Sequence, residues 1–459
     1  MEKKLATGKI LWVFAIGQLG WSMLSGIINN WLVYFYQPGE SLLAQGHTVF
    51  ITQGAVVLGT LTVIGLISAL GRLMDAVTDP LVGSLSDRCK HKLGRRIPFM
   101  RYAAIPLGLI TALVFISPVQ GESMVNNIFL CLVVLAFYIA MTCYCTPYNA
   151  LIPELGRTPE LRVNVSTFIS LTYFVGTAFA YVIANVAGVF EPTFGVTNSF
   201  RITIFIFAII AIICMLVPTF VINEHEYAET VPSTSSMTES LKKTFSNKQF
   251  RIFVCSDILY WIALTLFQTG LAFYVTELMG LDDGWTSILF ILMSVVSVCF
   301  YAPVNIIAKR IGKKKLVAVA FVWFACAFAV TTCVGLFGVP GIAWGAIVAV
   351  LAAVPMAILG ILPQAVIADI AQADGITTGE NRQGMFYAAR TFAMKLGQAV
   401  SMLSFTSIAL IGTGGFGYRL TAAVAAVFCL AGGLVFTRYN EKETLAIIES
   451  DGEKIQGQE

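Results

Sequence analysis

Apolar residues run along this chain in long unbroken stretches, and polar residues gather in short segments between them. Each stretch supplies about 20 helical residues, the length that crosses about 30 Å of hydrocarbon. Inside lipid, only helices and closed barrels satisfy their own backbone, and continuous rather than alternating apolarity selects helices. The pattern predicts twelve spans, at 10–36, 52–85, 98–118, 125–151, 165–190, 201–222, 250–278, 285–308, 315–338, 341–369, 384–411 and 418–438. The longest interior connection, from Asn223 to Asn247, is polar and rich in Ser, Thr and Glu. It marks a linker (223–249) between two six-span halves, 1–222 and 250–440, and leaves 441–459 as a tail. The basic N-terminus leads into an apolar run reaching Tyr36, too long for a signal peptide and without a small-residue cleavage site, so it reads as the first span.

Charge sharpens this picture. Only 12% of the 459 residues are charged and 57% are hydrophobic, about half the charge of a soluble domain. Lys and Arg cluster in every second connection: Lys3, Lys4 and Lys9; Arg88, Lys90, Lys92, Arg95 and Arg96; Arg157 and Arg162; Lys242, Lys243 and Lys248; Lys309, Arg310 and Lys313 to Lys315; Arg382. The intervening segments 37–50, 119–124, 191–200, 279–284, 339–340 and 412–417 have none. The positive-inside rule then places the basic loops and both termini in the cytoplasm, which in a bacterium means an inner-membrane protein. Short basic loops between apolar spans, at a net charge of +3, argue against nucleic acid as a partner. Nine of the ten cysteines lie in spans and read as small hydrophobes; Cys89 is in a loop, and neither a disulfide framework nor metal spacing appears. His47, His91 and His225 all fall in loops and read as solvated side chains, and no nucleophile–base arrangement lies at membrane depth, so an enzyme is not indicated.

The informative residues are charges inside spans, which cost about 2.5–3.5 kcal/mol at the bilayer centre on insertion scales. Span two reads Gly71-Arg72-Leu73-Met74-Asp75-Ala76-Val77-Thr78-Asp79-Pro80. Asp75 and Asp79 share one helix face with Thr78 close by, and Pro80 removes a backbone donor. Helical rise puts Asp75 about 18 Å and Asp79 about 12 Å deep; Lys395 of span eleven comes out about 20 Å deep and Thr142 of span four about 18 Å. Two neighbouring carboxylates do not both stay ionised without a counter-charge. Lys395 is one candidate, a bound cation that favours oxygen ligands another, and a shared proton a third. A purely structural ion-pair network is the remaining reading.

A faint repeat links the halves. Asp87-Arg88 with Gly94-Arg95-Arg96 follows span two, and Lys309-Arg310-Ile311-Gly312-Lys313-Lys314 follows span eight. Halves repeated about an axis along the membrane normal characterise major facilitator transporters. Loop 86–96 reads as a cytoplasmic latch in which Asp87, Arg88, Arg95 and Arg96 pair with helix-end charges, Glu154 and Asp369 being the partners expected, or as a purely topogenic loop.

Three stretches carry a resemblance: Arg72 through Asp79-Pro80; Thr146-Pro147-Tyr148-Asn149 through Pro153-Glu154; and Ile367-Ala368-Asp369-Ile370, Gly379-Glu380-Asn381-Arg382-Gln383-Gly384-Met385-Phe386-Tyr387 and Lys395-Leu396-Gly397-Gln398. Together they resemble the glycoside–pentoside–hexuronide:cation symporters, the melibiose-permease type of major facilitator. The resemblance implies an all-α membrane protein with twelve transmembrane helices in two six-helix bundles. It implies cation ligands at Asp75, Thr78, Asp79 and Thr142, where Thr78 replaces an asparagine, and coupling through Lys395 with Arg72. The coupling ion it implies is Na+, with H+ or Li+ as alternatives, and no other cofactor. The sugar side departs from the pattern: Ser22 and Cys145 stand where melibiose carriers have acids, and Asn149 where they have a tryptophan. Gln18, Trp21, Ser22, Asn29, Cys145, Tyr148, Asn149, Gln268 and Gln364 are the candidate substrate residues, each with helix–helix packing as its alternative. Arg72, Arg390 and Lys395 keep an anionic substrate such as a hexuronide open. The expectation is a monomeric, cation-coupled symporter of a small organic solute, a sugar, glycoside or hexuronide, working by alternating access; the competing expectation is a non-coupled lipid or anion transporter or a solute sensor on the same fold.

Overall fold

The computed structural model describes residues 4–156, 158–227, 237–379 and 382–456. Among these, twelve helices have eighteen residues or more: α1 (Gly8–Tyr36), α2 (Val63–Asp87), α3 (Ile97–Val114), α4 (Met124–Leu155), α5 (Pro159–Tyr181), α6 (Ile183–Val221), α7 (Lys248–Phe273), α8 (Trp285–Ile311), α9 (Lys313–Thr332), α10 (Gly341–Thr378), α11 (Gln383–Ile408) and α12 (Phe416–Phe436). The described residues contain no strand, only the isolated bridges Val57–Leu61 and His91–Gly94. Polar side chains start several helices by accepting an otherwise orphaned amide: Thr62 from Gly65, Ser123 from Val125, Thr158 from Leu161 and Asn247 from Phe250.

By length and composition, nine of the described stretches are apolar enough to cross a membrane, and one of them, Asn164–Val221, is 58 residues long. The helices with Arg72, Asp75 and Asp79 (α2) and with Arg390 and Lys395 (α11) are not among the nine.

Two expected boundaries are corrected. Residues 52–62 were expected inside span two, but the helix begins at Val63. Gly54, Leu58 and Gly59 there have φ of 83°, 54° and 70°, a left-handed backbone no helix contains. The connection expected at 191–200 holds the break at Gly195, φ 74° and ψ 162°, where the stretch Ile183–Val221 divides into two helices at a kink. Span ten, expected to end at 369, continues to Thr378 and stops at left-handed Gly379. The linker holds helices at Glu224–Tyr227 and Met237–Ser246, and the tail is helical over Glu441–Gln456; 228–236 lie outside the described residues, as do Arg157, Glu380 and Asn381.

The chain divides into two compact units, Met1–Pro232 with Asp282–Ser287, and Ser233–Leu281 with Ile288–Glu459. Each unit uses the same helix pairings. In the first, α1 packs on α5 and α6, and α3 on α4 and α6; in the second, α7 packs on α11 and α12, and α9 on α10 and α12. The first unit adds a close α2–α4 pairing.

The repeat extends to single atoms. Gly94, φ 113°, ends the loop before α3, and the Glu224 carboxylate accepts from the amides of Arg95, Arg96 and Ile97 at 2.8–3.0 Å. Gly312, φ 88°, precedes α9, and the Glu441 carboxylate accepts from the amides of Lys313 and Lys314 at 2.7 and 3.0 Å. In both units the first acidic residue after the last long helix caps the start of the third, where orphan N–H groups and the positive end of the helix dipole favour an anion.

Candidate functional site

Helices α2 and α4 meet along one stripe, in which residues four apart on α2 face residues four apart on α4. A Cβ at Gly71 would overlap the Tyr138 ring, so glycine is what brings the backbones close there. One turn on, Thr142 Oγ1 donates to Asp75 Oδ1 at 2.8 Å; another turn on, Thr146 Oγ1 donates to Asp79 Oδ1 at 2.9 Å. Both pairs are 67 residues apart in the chain. Gly83 closes the stripe, against the Thr146 methyl.

Thr78 joins the upper rung. Its Oγ1 lies 3.0 Å from Thr142 Oγ1 and 2.9 Å from the carbonyl of Met74. With the Thr142 proton on Asp75, the single Thr78 proton is left to divide between the carbonyl of Met74 and Thr142 Oγ1, both of which accept. Pro80 sits within the continuous helix and withholds the amide that Ala76's carbonyl would accept. Asp75 is buried and Asp79 half-buried. The donor set is two carboxylates and three hydroxyls, all hard oxygens, which suits an alkali cation or a proton.

Arg72, buried on the same helix, hydrogen-bonds Asn29 Oδ1 of α1 through Nη2 and lies 5.4 Å from the Tyr138 ring centroid, while its Nε has no partner among the described residues. Lys395 is buried on α11 of the second unit. Arg390 is tied to Asp257 by two hydrogen bonds of 2.9 and 3.0 Å, both groups buried. The Arg390 charge is therefore already matched inside its own unit, which weakens the sequence argument that it serves an anionic substrate.

The candidate substrate residues separate. Tyr148 is a packing residue: its hydroxyl donates to the carbonyl of Phe14 at 2.8 Å and its ring stacks on Phe14, centroids 4.2 Å apart. Ser22 donates to its own helix at Leu19, and Cys145 Sγ sits 3.4 Å from Met141 Sδ. Gln18 is buried, Gln268 intermediate, and Asn149 and Gln364 exposed. Trp21 stays a candidate: its indole N–H is buried without a partner among the described residues, and its ring lies 6.2 Å from Tyr173.

Among the latch residues, Arg95 and Arg96 both reach Glu154 Oε1, at 3.3 and 3.2 Å, and Arg96 pairs with Asp87. Arg88 is exposed. Asp369 pairs with Lys313 rather than with loop 86–96, repeating in the second unit what Glu154 does in the first. Arg382, read as topogenic, is buried with Nη2 2.8 Å from Asp374.

His47 corrects the expectation of solvated histidines. It is buried, with Nε2 2.8 Å from the carbonyl of Phe35, Nδ1 3.2 Å from Thr197 Oγ1, and its ring edge-on to Phe35 and Phe50. Burial first, with the nearby Arg201 charge adding to it, brings its pKa down to about 4. His91 and His225 are exposed as expected.

Sequence reasoning missed Thr146, Glu224 and Glu441. The i, i+4 threonines of span four matching the i, i+4 aspartates of span two are a signal for the first; for the glutamates, their equivalent places after the last span of each half are the signal.

The family model described as MFS/sugar transport protein matches residues 13–440. The inner membrane symporter YicJ of Escherichia coli K12 is 24% identical over 353 residues, covering 73% of this chain and 72% of that protein. The sodium-dependent lysophosphatidylcholine symporter 1-A of Danio rerio is 22% identical over 370 residues, covering 72% and 68%. A crystal structure of a D-xylose–proton symporter superposes with a TM-score of 0.66 over 95% or so of either chain (94% and 97%) at 13% identity, which speaks to the fold alone. This chain belongs to the MFS/sugar transport family: it is a multi-pass membrane transporter with the major facilitator fold, of the melibiose-permease type that its span-two, span-four and span-eleven motifs resemble.

Proposed function

We propose that the protein is a secondary active symporter that couples the uptake of a sugar, glycoside or hexuronide to a monovalent cation, Na+ first, by alternating access. The observation that carries this reading is the paired arrangement Asp75–Thr142 and Asp79–Thr146 across the α2–α4 interface. The family's description as sugar transport supports the solute class. A cation entering between the carboxylates replaces the repulsion of two like charges by attraction to both. The threonine hydroxyls then rotate, presenting lone pairs where they had presented protons.

Coupling follows from reciprocity: a solute that binds better to the cation-loaded form raises cation affinity by the same factor. Lys395, buried on α11, is the residue we assign to the cation-free state. The Arg95–Glu154 and Arg96–Glu154 pairs of the first unit and the Lys313–Asp369 pair of the second are the assigned cytoplasmic latches.

The test is thermal stabilisation of the purified protein by a panel of sugars, glycosides and hexuronates, with Na+ or with choline. A stabilising solute that acts at least tenfold more strongly with Na+ is the expected result, with the Na+ effect abolished in Asp75→Asn and in Asp79→Asn. Full cation dependence in both variants sinks the site assignment. A lysophosphatidylcholine arm covers the chemistry named for the zebrafish relative; stabilisation there and by no sugar replaces the solute class.

A further inference from the structure

We propose that Thr146 is an additional ligand of the cation site, and that its hydroxyl sets the preference for Na+ over the smaller Li+ and the proton. This rests on the cation site proposed above and deepens it. The usual habit of a threonine inside a membrane helix is to donate to its own backbone one turn back. Thr111, Thr172, Thr276, Thr331 and Thr406 do this, to Leu107, Phe168, Ala272, Ala327 and Met402. Thr142 and Thr146 instead donate across the helix interface, each to its own aspartate. Their rungs are one turn apart on both helices, so the second rung repeats the geometry of the first about 6 Å along the axis.

The Thr146 methyl faces Gly83 of α2, 3.6 Å from where a Cβ there would stand, an ordinary contact distance, while its hydroxyl is turned to Asp79. That hydroxyl is an oxygen donor built into the site beside the less buried of the two carboxylates.

Ligand number then decides the ion. Selectivity between hard cations depends on cavity size and the number of oxygens offered. A larger alkali cation takes more oxygens than a smaller one, and a proton needs only a carboxylate. With Thr146 the site offers a threonine hydroxyl to each carboxylate, Thr142 to Asp75 and Thr146 to Asp79.

The experiment measures the concentrations of Na+ and of Li+ that half-maximally stabilise the purified full-length protein against heat, in choline background, with no solute needed. In Thr146→Val, which keeps the methyl against Gly83, the Na+ midpoint is expected to rise about tenfold, the size of one charged hydrogen bond, with the Li+ midpoint moving less than threefold. Thr146→Ser is expected to return the Na+/Li+ ratio to within about twofold of the original. The denaturation midpoint in choline alone reads folding separately. Equal shifts for both ions, or no shift, overturn the role of Thr146 while loss of both responses in Asp75→Asn keeps the cation site. No response to either ion in the unmodified protein overturns both.

Discussion

A single side chain, His47, shows how far local environment departs from what a loop position suggests. Its imidazole is held neutral among Phe35, Phe50 and the carbonyl of Phe35, with a pKa brought down to about 4 against an ordinary value of about 6.5. The unfolded chain therefore binds a proton below about pH 6.5 that the folded chain refuses until about pH 4. His47's contribution to stability is full above about pH 6.5 and is lost as the pH falls toward about 4. Denaturation midpoints of His47→Gln should fall less steeply than those of the unmodified protein between pH 6.5 and 4; parallel curves would contradict the assignment. The sequence hides this, because the rings that bury His47 come from the end of α1 and from Phe50, on either side of a turn of unknown path. Asp75 and Asp79 are legible for the opposite reason: a charge in an apolar run has no cheap explanation. Thr146 is not, since a threonine among apolar residues is ordinary helix filling until its register against α2 is known.

At the scale of the element, the α2–α4 pairing is where the proposed cation site and the helix packing share one stripe. Gly71, Asp75, Asp79 and Gly83 follow each other at intervals of four, so the ends are glycine and the middle is charge. The two glycines are not equivalent. Gly71→Ala places a methyl into the Tyr138 ring and should cost about 1–3 kcal/mol of overpacking, whereas Gly83→Ala meets only the Thr146 methyl at 3.6 Å and should be close to neutral. Thermal denaturation of both variants in choline checks this, and a Gly71→Ala protein as stable as Gly83→Ala would show the interface to be looser than the geometry says. Helix positions were largely legible from apolar length. What failed was a boundary set by backbone rather than side-chain chemistry: Gly54, Leu58 and Gly59 end an apolar run before α2 begins. Hydropathy does not register it, because a left-handed residue and a helical one are equally apolar.

For the molecule as a whole, the long polar connection from Asn223 to Asn247 is the sequence's mark of two halves, and the family match supports the fold. The depth of the repeat was not legible, since only a glycine and a glutamate mark it: Gly94 with Glu224, and Gly312 with Glu441. Removing either carboxylate leaves helix-start amides without their acceptor. Glu224→Ala and Glu441→Ala should each destabilise by about 1–3 kcal/mol. Because they lie in separate compact units, the double variant should show the sum to within about 0.5 kcal/mol; a strongly non-additive pair would couple the halves through these caps. The caps also have a consequence for biosynthesis. Arg96 and Glu224 are 128 residues apart, and so are Lys313 and Glu441. At a ribosome's pace of about 5–20 residues per second, each third helix waits about 6–25 s after it emerges before the glutamate that seals it has been made. Each half thus carries its own completion mark, and a nascent half interrupted before its last helix is distinguishable, to a quality-control protease, by the exposed helix start it still presents.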